Sequence, residues 1–117
     1  MADTLRRFEE LHKLRPALRP LGLEWQNHCP YLRTGPLFQL ACLDDDHVER
    51  LCVAGALEHL LYGERVQVSM APIAEARWSV AIGGPHLIAA EGPSLPDALV
   101  TGLYGMLEQA REARKPR

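Results

Sequence analysis

Among the residues that could carry out chemistry, the densest local group lies between Trp25 and Tyr31. It places His28 next to Cys29, with Asn27 also close by. An imidazole beside a thiol could activate the sulfur as a nucleophile, which is the chemistry of a small hydrolase. In such enzymes the two groups usually come from distant positions, so adjacency does not indicate a catalytic pair. A turn with partly buried aromatic residues explains this group better, and a hydrolase using His28 or Cys29 is the third of three hypotheses.

The acidic run Asp44–Asp46, followed by His47, offers side chains that bind divalent cations. Successive residues at the start of a helix cannot all point at one ion, and the sequence contains no second ligand cluster. Capping of the following helix explains the aspartates. The spacings of phosphate-binding and serine-nucleophile motifs are also missing. The sequence therefore predicts no metal, no cofactor and no catalytic residue.

The other histidines are expected to be solvent-exposed or to lie at an edge. His12 falls on a charged helix face, and His86 opens a strand after a turn. The residues left for an interaction surface combine aromatic and basic side chains, which are enriched where proteins bind each other. They are Trp25, His28, Tyr31, Arg77 and Tyr104.

Composition places the chain among ordinary globular proteins. Its 117 residues are 47% hydrophobic and 24% charged. This length predicts a single domain over 1–117, whose α+β class follows from the elements described below. A net charge of −2 gives little attraction to nucleic acid or an anionic membrane. No apolar run approaches the roughly 20 residues that cross a bilayer. Three cysteines without a CxxC spacing favour a reducing compartment, so the predicted location is cytoplasmic.

Upstream, apolar residues at helical spacing predict a basic N-terminal helix within 1–20, running from Asp3 to about Arg15. Leu23–Gln26 could be a short strand, Cys29–Tyr31 a turn, and residues 37–43 a further strand. An aspartate-capped helix then runs to about Tyr62.

Downstream, alternation of apolar and polar residues predicts three antiparallel strands. Pro72 is expected to end the first strand, and residues 71–75 to form the most mobile loop between strands. Gly83-Gly84 should supply the positive φ angles of a tight turn. Ser94 caps a final helix in which Gly102 allows close approach to another backbone, and residues 113–117 should fray. The predicted architecture is a three- or four-stranded antiparallel sheet packed by helices, in ααβββα-like order.

Three stretches resemble the phage ABA sandwich domain family: DDDHVERLCVAGALEHL, ARWSVAIGG and EGPSLPDALVTGLYGML, within about residues 44–110. The resemblance implies phage or prophage origin and carries no established activity. The same αβββα order resembles the double-stranded RNA-binding domain, but SLPDALVTG has acid where that family needs lysines.

The first hypothesis is therefore a small cytoplasmic protein of phage type that binds another protein, as a modulator or inhibitor of a host enzyme or defence component. The second is a nucleic-acid-binding module that uses the basic terminal segments. A homodimer through an uncovered edge strand is a further alternative for the partner.

Overall fold

The computed structural model describes residues 3–34, 39–42, 44–84 and 87–114. The chain divides into two compact units, Met1–His59 and Leu60–Arg117, and each contains a three-stranded antiparallel sheet. The α+β class and the order of two helices, an antiparallel meander and a final helix along the chain are confirmed. The sheet of the first unit adds three strands that the sequence pattern indicated only in part. The assignment of 1–117 to a single domain stays a prediction.

The first unit joins two helices and a small sheet. Its elements are α1 (Asp3–Leu14), a 3₁₀ turn (Pro16–Leu18), β1 (Leu23–Gln26), β2 (Cys29–Thr34), β3 (Gln39–Cys42) and α2 (Asp45–Glu58). Its core is formed by fully buried side chains, among them Leu5, Phe8, Leu11, Leu18, Leu23, Val48 and Cys52. The predicted strands in 23–26 and 37–43 are confirmed over Leu23–Gln26 and Gln39–Cys42, while residues 37, 38 and 43 lie outside the described residues.

The turn in this sheet is not where the sequence pattern placed it. Asn27 and His28 have φ angles of 49° and 65°, the left-handed pair that a two-residue hairpin turn requires. The prediction of a turn at Cys29–Tyr31 is wrong, because these residues begin β2. Pro30 pairs with Trp25 on β1, whereas the pairing with β3 starts only at Tyr31. Pro30 therefore has no strand on its second side and no ladder hydrogen bond to donate there.

Helix α2 begins as the aspartate run predicted. Asp44 is the N-cap, and its Oδ1 accepts a hydrogen bond of 2.8 Å from the backbone N–H of His47. A π-helical turn, His59–Gly63, follows α2. Asp44 thus has the capping role expected of this run, and Asp45 and Asp46 lie in the first turn of α2.

The second unit is an antiparallel meander followed by a long helix. It consists of β4 (Val68–Ala74), β5 (Arg77–Ile82), β6 (Ile88–Gly92) and α3 (Leu95–Ala113), with strand order β4-β5-β6. Two predictions are corrected here. Pro72 does not end the first strand but lies within β4, which tolerates it as an edge strand. Residues 71–75 are not a loop, because the strand continues to Ala74 and a two-residue turn follows, with Ala76 at φ 52°.

The β5–β6 hairpin is confirmed, but its connection is longer than a tight two-residue turn. Residues 83–87 link Ile82 to Ile88, which face each other in the register. Gly22 is the described glycine with a positive φ, so the expected role of Gly83-Gly84 is wrong. A five-residue connection can close a hairpin without left-handed residues at those two positions.

Helix α3 is capped as its sequence indicates. Ser94 Oγ accepts the backbone N–H of Asp97 at 3.3 Å and donates to the Asp97 carboxylate at 3.1 Å. A Cβ on Gly102 would lie 3.3 Å from the Cδ1 of Ile82 on β5 and 3.7 Å from the Cβ of Ala90 on β6. The glycine therefore lies against side chains of the sheet, and the expected close approach to another backbone is wrong. Of the predicted tail 113–117, residues 115–117 lie outside the described residues.

Candidate functional site

The polar cluster of the first unit is formed by Glu9 and His12 on α1, Trp25 on β1 and His28 in the β1–β2 turn. Two of the four, Trp25 and His28, were predicted as surface residues. Glu9 and His12 are buried, with 5% and 4% of their surfaces exposed. Polar groups at this depth require hydrogen-bonding partners, and the hairpin supplies one to each of these two side chains.

The first contact of the polar cluster joins a buried carboxylate to an exposed imidazole. His28 Nδ1 lies 2.9 Å from Glu9 Oε1, and the His28 side chain is 75% exposed. Lys13 Nζ lies 4.0 Å from the other carboxylate oxygen, one helical turn further along α1. The left-handed backbone of the β1–β2 turn brings His28 over Glu9. A histidine is among the residues that adopt this conformation more readily than most.

The second contact joins two aromatic side chains. The indole N–H of Trp25 donates to Nδ1 of His12 at 2.9 Å, and the two rings lie 6.0 Å apart at their centroids. Burial, and secondly the positive charge of Arg19, lowers the pKa of His12 from 6.5 to about 4. His12 is therefore neutral at pH 7, with its proton on Nε2. That nitrogen is buried and has no hydrogen-bond partner.

The geometry of the polar cluster orients a histidine but supplies no nucleophile. A carboxylate on Nδ1 fixes the ring and, in the neutral form, leaves Nε2 as the acceptor, as in many general bases. Cys29 and Tyr31 alternate with the buried Pro30 along β2 and so lie on the opposite face of the hairpin from Trp25. On that outer face Arg33 forms an ion pair with Glu24, its Nε 2.7 Å from Oε1. Tyr31 and Cys29 thus lie on the face of the hairpin opposite Trp25.

The remaining predicted surface residues belong to the second unit and do not form one site with each other. Arg77 lies on the sheet face opposite α3, because Val80 and Ile82, which alternate with it in β5, are buried on the α3 side. Its guanidinium pairs with Glu91 on β6, with Nε 3.1 Å from Oε2. Tyr104 lies on α3. Within the second unit, Arg77 and Tyr104 therefore lie on different surfaces.

Sequence reasoning missed Glu9 and misplaced His12. The expectation that His12 is solvent-exposed is wrong. Leu5, Phe8 and His12 recur at helical spacing, so His12 continues the buried stripe of α1. Glu9 adjoins the same stripe. The helical spacing was therefore the signal from which the burial of His12 could have been predicted. The prediction for His86 concerns a residue that lies outside the described residues.

A second surface is the exposed strand β4. From Ser69 to Ala74 every residue is exposed, and the whole of β4 contains no charged side chain. Met70 is 39% and Ile73 50% exposed. Helix α3 packs on β5 and β6. The β4 edge therefore presents apolar side chains that are accessible in the folded chain.

Within the described parts of the chain, no group of three His, Cys, Asp or Glu side chains is arranged to hold a metal ion. No described helix is long and apolar enough to cross a membrane. Comparison with protein-family models, curated proteins and solved structures finds no match for this chain.

Proposed function

We propose that this protein acts by binding another protein, through the apolar surface of β4. The observation that carries the proposal is the exposure of an uncharged edge strand from Ser69 to Ala74, including Met70 and Ile73. Edge strands of soluble proteins usually carry charges that discourage association, and exposed apolar patches mark interaction sites. A large aliphatic side chain on such a patch can fill a pocket of a partner.

The partner and the biological setting follow from the sequence resemblance. A protein of phage type acting in the cytoplasm would bind a host enzyme or a defence component and modulate or inhibit it. The position of Cys29 favours protein binding over hydrolysis, because its side chain lies on the face of the hairpin opposite Trp25.

The test combines capture with two matched variants. Ile73→Asp places a charge on β4, whereas Leu21→Asp makes the same change at a fully exposed leucine of the first unit. Wild type and Leu21→Asp are expected to retain the same specific protein from a host lysate. With that protein purified, Ile73→Asp should raise its dissociation constant about tenfold or more, which is the effect of losing an interface hot spot.

Two results would count against the proposal. Equal affinities of Ile73→Asp and wild type for the retained protein would place the interface elsewhere. Repeated failure to retain any specific protein, together with a gel shift of nucleic acid that weakens steeply with salt, would favour the nucleic-acid alternative.

A further inference from the structure

The second unit has an apolar cavity at its surface, which is partly open to solvent. It has a volume of about 240 Å³ and lies where the end of β5, the start of β6 and the last turns of α3 meet the segment 64–66. Ile82 and Ile88 line it from the two strands, and Met106 and Ala110 from the helix. The cavity thus belongs to one unit.

Small residues leave this space open. Met106, Ala110 and Ala113 follow one another at helical spacing on the cavity side of α3, and Gly83 and Gly84 line the opposite wall. A leucine in place of either alanine would extend into the cavity. The open volume therefore depends on the alanines of α3.

The segment beside the cavity is held in an unusual conformation. Arg65 has φ 56°, a left-handed value that non-glycine residues adopt uncommonly. The neighbouring Val66 N–H donates to the carbonyl of Leu60 at 3.0 Å, and Gly83 N–H donates to the carbonyl of Gln67 at 2.7 Å. Such local strain is found more often at binding sites than elsewhere.

The lining decides the chemical class of the ligand. Its polar side chains among the described residues are Glu64 and Gln109, and the carboxylate of Glu64 is its charged group. An apolar cavity of about 150 Å³ binds benzene, and pockets for drug-sized ligands are larger than about 300 Å³. A cavity of about 240 Å³ lies between these sizes.

We propose that this cavity binds a small molecule consisting of one apolar ring and a short polar arm that is neutral or positively charged. The ring lies among the isoleucines, the methionine and the alanines. The arm lies beside Gln109 and Glu64, where a carboxylate on the ligand would be repelled.

Methyl NMR with three matched probes tests the proposal. The probes are 2-phenylethanol, phenethylamine and phenylacetate, which share a phenyl ring and differ in the charge of the arm. In protein labelled at the methionine methyl groups, Met106 reports on the cavity, and the exposed Met70 of β4 is an internal control. The alcohol and the amine should shift Met106 saturably, with dissociation constants on the order of 1 mM, while Met70 stays unchanged. Phenylacetate should bind about threefold more weakly at low salt, and Glu64→Gln should reduce that difference.

Variants that fill the cavity provide the decisive comparison. Ala110→Leu is expected to weaken binding at least tenfold, and Ala113→Leu serves in its place if Ala110→Leu does not fold. Ala54→Leu makes the same change on the exposed surface of α2 and should bind like wild type. Failure of all three probes to shift Met106 saturably would overturn the proposal, and so would unchanged binding by the folded cavity-filling variant. Because the readout needs no protein partner, its outcome is independent of the interface proposed on β4.

Discussion

Protonation of His12 is expected to lower the free energy of unfolding as the pH falls below neutrality. His12 is 4% exposed, accepts the indole N–H of Trp25 at Nδ1 and keeps its Nε2 proton in a buried position without a partner. Burial, with a smaller contribution from Arg19, lowers its pKa to about 4, whereas the unfolded chain has the ordinary value of 6.5. Between these two pH values the unfolded state binds more protons than the folded state, so acid favours unfolding.

The size of the effect follows from the two pKa values. Each pKa unit corresponds to 1.36 kcal/mol, so the interval from 6.5 to about 4 corresponds to about 3 kcal/mol. The contribution of the neutral imidazole is fully present above pH 6.5. It is lost progressively as the pH falls, and the loss is complete below about pH 4. A change of this size is a large part of the stability of an ordinary small domain.

Urea unfolding at pH 7, 5.5 and 4 measures the effect in wild type, His12→Leu and His47→Gln. His47 has a 66% exposed side chain, so its replacement removes an imidazole without removing a buried one. Between pH 7 and pH 4, the free energy of unfolding of His12→Leu should fall by about 3 kcal/mol less than that of wild type or His47→Gln. The variant lacks the buried imidazole, and the acid response of the carboxylates is common to all three proteins. At pH 7 His12→Leu should be about as stable as wild type, since it removes a buried donor without a partner together with one hydrogen bond. Equal acid losses in wild type and His12→Leu would refute the reasoning.

Two further predictions use matched residues within the chain. Gly92→Ala should lower the free energy of unfolding by about 1–3 kcal/mol, because the new Cβ would lie 2.8 Å from the backbone nitrogen of Ala98. Gly105→Ala meets only a side-chain atom at 3.3 Å and gains up to about 1 kcal/mol of helix propensity, so thermal melts should show it unchanged or stabilised. In a Cys42→Ser variant, a thiol reagent should modify the exposed Cys29 in the native protein. It should modify Cys52 only after unfolding, since burial, and secondly Glu49, raises the pKa of that thiol to about 12. Similar effects of the two alanines, or equal thiol rates, would contradict these expectations.

The parts of the fold that sequence predicted are those set by neighbouring residues. A cap needs only a side-chain oxygen and a backbone N–H three residues later, so Ser94 and the run Asp44–Asp46 indicate helix starts without knowledge of the sheet. The sequence left open which aspartate is the N-cap, and in the structure it is Asp44. The meander of the second unit was found because one face of its strands is buried by α3 and the period-two pattern records that burial. The exact ends of its strands depend on which strands lie beside each other in the sheet. Pro72 is allowed inside β4 because β4 lies at the edge of the sheet.

The sheet of the first unit was harder to predict because its turn and its proline depend on pairing. Asn27 and His28 adopt left-handed backbone angles only when the strands on both sides pair. Pro30 suggests a turn in the sequence, yet β2 accepts it because β3 begins its pairing one residue later. Neither fact is visible in the local pattern.

The polar cluster shows where helical spacing would have helped and where it would not. Leu5, Phe8 and His12 form one stripe of α1, so the burial of His12 could have been predicted from its position. The hairpin residue that each of these α1 residues contacts could not have been predicted from that spacing. Trp25 reaches His12 and His28 reaches Glu9 because the turn sets the register of the hairpin over α1.

The form of association that β4 allows is restricted by its own sequence. A flat edge strand can add a strand from a second chain through backbone hydrogen bonds. In β4, however, Pro72 lacks an N–H, and the register shifts between Pro72 and Ala74, so that Ile73 is an extra residue in a bulge. Proline and bulges are features by which natural sheets discourage pairing at their edges. The homodimer alternative through two β4 edges is therefore disfavoured, and a partner would contact the side chains of Met70 and Ile73 rather than extend the sheet. Replacing Pro72 with alanine should accordingly change affinity less than Ile73→Asp does, whereas a larger loss at Pro72 would show that the backbone edge itself is recognised.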